Sequence, residues 1–104
     1  MSQTTKSFDL SVPYFNGKAI ATKSTYTDGN LALFINSNQG EPLATISINY
    51  PDGAFHLKEN EIFVKNFGAN KEMYKELIKA EIIYPTSKII QINYIYAEIC
   101  KILF

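Results

Sequence analysis

The residue types that could do covalent chemistry are scarce. His56 and Cys100 are the only histidine and cysteine in the chain. A nucleophilic site needs a serine or cysteine held against a base. Here the histidine and cysteine lie far apart in sequence, and no serine sits in a nucleophile motif. His56 therefore reads as a solvated turn histidine. One histidine and one cysteine also fall short of the ligand cluster that zinc requires. Glu59, Glu61, Glu72 and Glu76 have the chemistry for general acid–base work. Glu72 and Glu76, however, stand among lysines on what reads as the outer face of a helix, where ion pairing and solvation are the ordinary fate. The stretches "FGANK" and "NGK" put glycine near lysine without the spacing of a phosphate-cradling loop, so both read as turns. No enzymatic activity, metal or cofactor is expected.

The seven tyrosines offer contact rather than catalysis. Tyr94 and Tyr96 alternate with isoleucines and are expected to pack as core. Tyr14 and Phe15 stand just before the dipeptide Asn16-Gly17 and are expected at an exposed loop tip, where aromatics favour protein contacts.

The elements that must position these residues follow from periodicity. "SFDLSVP" places Phe8, Leu10 and Val12 on one face of a short strand closed by Pro13. Asn16-Gly17 is a strong tight-turn signal. Ile20, Thr22, Ser24 and Tyr26 then alternate with Ala19, Ala21, Lys23 and Thr25. Asp28-Gly29-Asn30 predicts another turn, "LALFIN" a nearly all-apolar strand, and "SNQG" a further turn. In "GEPLATISINYPDG", Ala44, Ile46, Ile48 and Tyr50 point one way, and the polar row Thr45, Ser47 and Asn49 points to solvent. Ile62 and Val64 around Phe63 predict a short strand near the sheet edge. From Asn70 the period changes to that of a helix. Met73, Tyr74, Leu77, Ile78 and Ala80 form its buried side, Asn70 is a candidate N-cap, and Pro85 ends whatever helix remains. "KIIQINYIYAEICKILF" predicts a long terminal strand, bent or broken near Tyr96–Glu98. A helix burying Ile95, Ile99, Cys100 and Leu103 is the alternative for 95–104.

With 104 residues, 46% hydrophobic and 19% charged, the chain is expected to form one folded domain, 1–104. The fold class expected is α+β: an antiparallel sheet of about five to six strands packed on one main helix. No apolar run suits a signal peptide or a membrane span, and a lone cysteine fits a reducing compartment, so a cytoplasmic protein is expected. Formal net charge is zero and all ten basic residues are lysine. Without arginine, the residue that makes bidentate contacts to phosphate and guanine, the chain is a poor autonomous nucleic-acid binder. Neutrality makes it an equally poor acidic mimic of DNA.

The segments "YTDGNLALFI", "GEPLATISINYP", "LKENEIFVKNFGANKEMYKELIKAEIIYPTSKII" and "EICKIL" occur in that order between Tyr26 and Leu103. Together they resemble a family of small uncharacterised proteins encoded by phages, plasmids and conjugative elements of bacteria. Its pattern runs "dGnlal", "GEPyatlTvN", "nE..vKn..eN..ml..L", a "PT" turn and a final "ICKLL". The chain departs from it where relatives carry "PTGR" and "SGF": here stand Pro85-Thr86-Ser87-Lys88 and Ile92-Asn93-Tyr94. The resemblance implies no activity. Its genomic company implies an inhibitor of host defence, foremost an anti-CRISPR protein binding an RNA-guided effector nuclease, with indirect contact to guide RNA. The alternative is an accessory or regulatory nucleic-acid-binding module of a mobile element. The expected partner-binding residues are Lys65, Asn66, Asn70, Lys71 and Lys75 around the helix start, with Tyr14 and Phe15.

Overall fold

The computed structural model describes residues 3–65 and 70–104. Antiparallel strands dominate, and one α-helix gives the chain an α+β character. The strands, however, form two four-stranded sheets, not one sheet of five or six. The first is a meander, β1 (Thr4–Val12), β2 (Phe15–Thr25), β3 (Leu31–Ser37) and β4 (Pro42–Thr45), in sequential order. The second contains β5 (Ser47–Ile48), β6 (Glu61–Val64), β7 (Ile83–Ile92) and β8 (Ile95–Ile102), in the order β5-β6-β8-β7. A short 3-10 helix (Pro51–His56) precedes β6, and α1 (Asn70–Lys79) precedes β7.

The chain passes from one sheet to the other at Ile46. The N–H of Ile46 donates to the Leu33 carbonyl at 2.9 Å, while Ser47 pairs with Val64 of the second sheet. The predicted continuous strand 43–50 is therefore two strands, and its apolar row serves two cores. Ala44 and Ile46 belong to the large one; Ile48 and Tyr50 belong to a smaller cluster around Phe63, Ala97 and Ile99. The predicted solvation of the polar row fails at Ser47, which is buried. Its hydroxyl accepts the Leu33 N–H at 3.0 Å and lies 2.8 Å from the Tyr26 hydroxyl. Asn49 is exposed, yet its side-chain amide donates to Asp28 at 3.0 Å. The Asn30 backbone N–H, and after it the Asn49 amide, hold the Asp28 carboxyl below its ordinary range.

The large core unites both sheets and the helix. Phe8, Leu10 and Val12 from β1 meet Leu33 and Ile35 from β3, Ile62 and Val64 from β6, and Met73 and Leu77 from α1. From β2 the inward row is Ala19 and Ala21, both fully buried, while Ile20 stays half-buried on the outer face. Small side chains there let β2 lie between β1 and β3 without forcing the facing layer away. In α1 the helical period buries Met73 and Leu77, with Tyr74 and Ile78 packed partly against them. The helix stops at Lys79, earlier than "KAEII" suggests. Glu81 has φ +60°, and the Ile82 N–H donates to the Leu77 carbonyl at 2.9 Å, which turns the chain into β7.

Three other expectations are corrected. The first hairpin turns at Pro13-Tyr14, with Val12 opposite Phe15, so Asn16-Gly17 lies inside β2. Proline with its φ preset starts the turn three residues before the Asn16-Gly17 signal. The strand β6 is central rather than peripheral, and all four of its residues are buried. The predicted terminal strand is a hairpin: Ile92 faces Ile95 across a two-residue turn, Asn93-Tyr94, with Asn93 at φ +56°. Upstream, the pairing jumps from Pro85 opposite Cys100 to Lys88 opposite Ile99. The two extra residues are Thr86, whose hydroxyl donates to the Ile99 carbonyl at 2.7 Å, and Ser87 at φ +70°.

Candidate binding surface

Side chains of β8 alternate between the two faces of its sheet. Ala97 and Ile99 enter the smaller cluster, and Cys100 and Ile102 enter the large core. Tyr96 and Glu98 share the face of Cys100. Opposite them on β7, Gln91 faces Tyr96 and Ile89 faces Glu98. The helix lies over this same face, for Tyr74 of α1 interacts with both Glu98 and Cys100.

Burial, against that contact, sets the protonation of the cysteine. Burial pushes the Cys100 thiol up to about 12; the Tyr74 hydroxyl opposes the shift and the Glu98 charge adds to it. Burial likewise raises the Tyr74 hydroxyl above its ordinary range, helped by the Glu98 carboxylate and the Cys100 thiol. At neutral pH both groups are protonated, and a thiol in that state is not a nucleophile.

His56 lies elsewhere. It is exposed at the end of the 3-10 helix, its ring 4.1 Å from that of Phe55. This helix packs on the opposite face of the second sheet: a Cβ built on Gly53 would lie 3.5 Å from the Phe63 ring. The sheet therefore stands between His56 and Cys100. Among the described residues, no group of three or more His, Cys, Asp or Glu could hold a metal ion.

The carboxylates go separate ways. Glu59 and Glu72 are exposed. Glu76 accepts the Ser11 backbone N–H at 3.3 Å, so it ties the helix to the outer edge of β1. Glu61 is buried, which alternation in the sequence did not signal. It accepts the Lys58 N–H at 2.8 Å and lies 3.9 Å from the Lys88 ammonium, closing the turn into β6.

Of the expected partner-binding residues, Lys71 and Lys75 are exposed along α1, and Lys65 and Asn70 are half-buried. Asn66 lies outside the described residues. Tyr14 is 53% exposed at the first hairpin turn, whereas Phe15 is half-buried and packs against the large core. The structure thus separates these two aromatics, because they are successive residues at the entry to a strand.

The larger departure is at the last hairpin. Tyr94 is 98% exposed, Tyr96 65% and Ile89 62%, against the expected core packing of both tyrosines. Alternation with isoleucine fits one strand in a core, but the turn at Asn93-Tyr94 reverses the chain and lifts the tyrosines out of it. Tyr96 and Ile89 share the sheet face that α1 partly covers, which places them beside the helix that carries Lys71 and Lys75. The available signal was the absence of charge from Ile89 to Ala97, coupled with asparagine at a position able to adopt positive φ. No helix among the described residues is long and apolar enough to cross a membrane. Compared with known proteins, the chain matches no family model, no curated protein and no solved structure.

Proposed function

We propose that the chain works by binding, as a stoichiometric, non-enzymatic inhibitor of a host defence machine in the bacterial cytoplasm. Its partner is an RNA-guided effector nuclease or the assembly of that nuclease with guide RNA. The observation that carries the binding reading is the exposure of Tyr94, Tyr96 and Ile89 on one hairpin. Large exposed aromatics concentrate binding energy at protein interfaces, and a soluble protein does not gain stability by displaying them. Lys71 and Lys75 on the adjoining helix supply the only charge the surface needs to approach an anionic neighbour such as guide RNA. The choice of an effector nuclease rests on the family resemblance in the sequence.

Co-expression with an effector and its guide, followed by measurement of target interference, is the direct test. Loss of interference at a stoichiometric dose supports the reading. Undiminished interference by every effector type of the native host removes it and leaves the mobile-element accessory module. Salt then separates the two: a direct nucleic-acid binder loses affinity steeply as salt rises, because counterions are released, and a protein interface far less.

A further inference from the structure

Ile89 to Ala97 reads IIQINYIYA, a run with no charge, glycine or proline. Such segments pair readily with other strands, and natural sheets cover or interrupt them. This one forms the end of β7, the turn and the start of β8, and β7 is a terminal strand of its sheet.

The outward groups follow from the hairpin. Ile92 and Ile95 flank a two-residue turn, so they must exchange both main-chain hydrogen bonds with each other. Two residues on, Ile90 and Ala97 do the same, and then Lys88 and Ile99. The N–H and C=O groups of Ile89 and Gln91 therefore point away from β8, toward the open edge. The other edges are treated differently. At β1 the outward N–H of Ser11 is taken by Glu76, and Lys6 reaches the Glu81 carbonyl at 3.5 Å. The edge strand β4 is four residues long and begins with Pro42, and β5 has two residues. The strand β7 carries one interruption near its centre, Lys88 beside the irregularity at Thr86-Ser87, and beyond it residues 89–92 form an open edge without charge.

We propose that two copies of this chain pair through this edge, β7 against β7 antiparallel, about a two-fold axis at Ile90. In that register Ile89 exchanges main-chain bonds with the partner's Gln91 and Gln91 with the partner's Ile89, about four bonds in all. The outward-bonding residues map onto each other under the two-fold, which makes the edge self-complementary. Lys88 falls opposite the partner's Ile92, so no like charges oppose. Ile90, half-buried in the smaller cluster, meets its own copy and extends that cluster across the junction. The two second sheets become one continuous sheet, and the Tyr96 faces of both copies lie on the same side of it.

The pairing is independent of the defence-inhibitor reading and is measured on the purified protein alone. Sedimentation equilibrium is expected to give twice the 11.8 kDa chain mass. Ile89→Lys, at an exposed position, sets four lysines around the junction and is expected to weaken association at least ~10-fold. Gln91→Pro, which removes an outward N–H and leaves the ladder to β8 intact, is expected to do the same. Adding Gln91→Glu to Ile89→Lys places opposite charges across the axis and is expected to restore the dimer. A thermal melt confirms that each variant is folded. The proposal is overturned by a wild-type protein of single-chain mass up to its solubility limit, by a dimer that folded Ile89→Lys leaves untouched, or by a double variant no tighter than the single one.

Discussion

The Ser47 hydroxyl accepts the backbone N–H of Leu33 at 3.0 Å at the point where the chain leaves one sheet for the other. Both groups are buried. A strand that changes sheets leaves its old neighbour without the next ladder bond, and an unpaired N–H in a core is costly. Ser47 fills the gap with a side chain. Ser47→Ala is expected to cost about 1–3 kcal/mol in a urea melt, because the Leu33 N–H loses its acceptor. Tyr26→Phe is expected to cost less, since it leaves that bond in place. Equal losses would mean that the Tyr26 contact, not the Leu33 bond, matters at the crossing.

This crossing also marks where the sequence stops being legible. Single-face strands could be read directly: Phe8, Leu10 and Val12 are buried as alternation required. So could the helix face of Met73 and Leu77. Alternation continues unbroken through Ile46, because a row of apolar residues reads alike whether it lines one core or two. The two hairpin turns were hidden for a different reason. Asn93-Tyr94 carries no glycine, and Asn16-Gly17, which does, was outcompeted by Pro13. The exposed surface was the least legible part, since tyrosine beside isoleucine has the same composition in a core as on a contact face.

Ser87 and Asn93 both adopt positive φ, at +70° and +56°. A side chain in the left-handed region costs roughly 1–2 kcal/mol, less for asparagine. Ser87→Gly is therefore expected to stabilise the fold by about 0.5–1 kcal/mol, offset in part by the greater freedom of glycine in the unfolded chain. Ser87→Val, β-branched at the same φ, is expected to destabilise it. Thermal melts of the two variants should move in opposite directions.

Alkaline pH should unfold the protein early. Cys100 titrates near 9 when exposed and at about 12 in the fold, and Tyr74 is also raised. Above pH 9 the unfolded chain releases protons that the folded chain keeps, so deprotonation favours unfolding. The stability present below pH 9 falls as pH rises toward 12. Melting temperature is expected to drop over that window, with a shallower slope for Cys100→Val. Thiol-reactive dye should label native Cys100 only on the unfolding timescale. Immediate labelling at pH 8 would refute its burial.

Leu77 and Lys75 lie two residues apart on α1, one fully buried and one exposed. Leu77→Ala removes methyl groups from the junction of helix and both sheets and is expected to cost ~2–5 kcal/mol. Lys75→Ala is expected to change stability by less than about 0.5 kcal/mol. Denaturant midpoints of the pair measure the helix orientation directly.

Tyr94 and Tyr96 separate binding from folding. Their rings are mostly in solvent, so Tyr94→Ser with Tyr96→Ser removes little buried area and should leave the melting temperature within a few degrees of wild type. If the hairpin is where the partner docks, the same double variant should lose at least ~10-fold in affinity for the effector, about 1.4 kcal/mol, since aromatic anchors carry a large share of interface energy. Lys71→Ala with Lys75→Ala should act otherwise. It removes charge and little contact area, so its effect should be modest and should shrink as salt rises, through slower association rather than faster release. Binding kinetics of the two double variants at two salt concentrations distinguish these patterns. A tyrosine variant that binds as wild type, beside a lysine variant that abolishes binding at low salt, would move the contact surface from the hairpin to the helix.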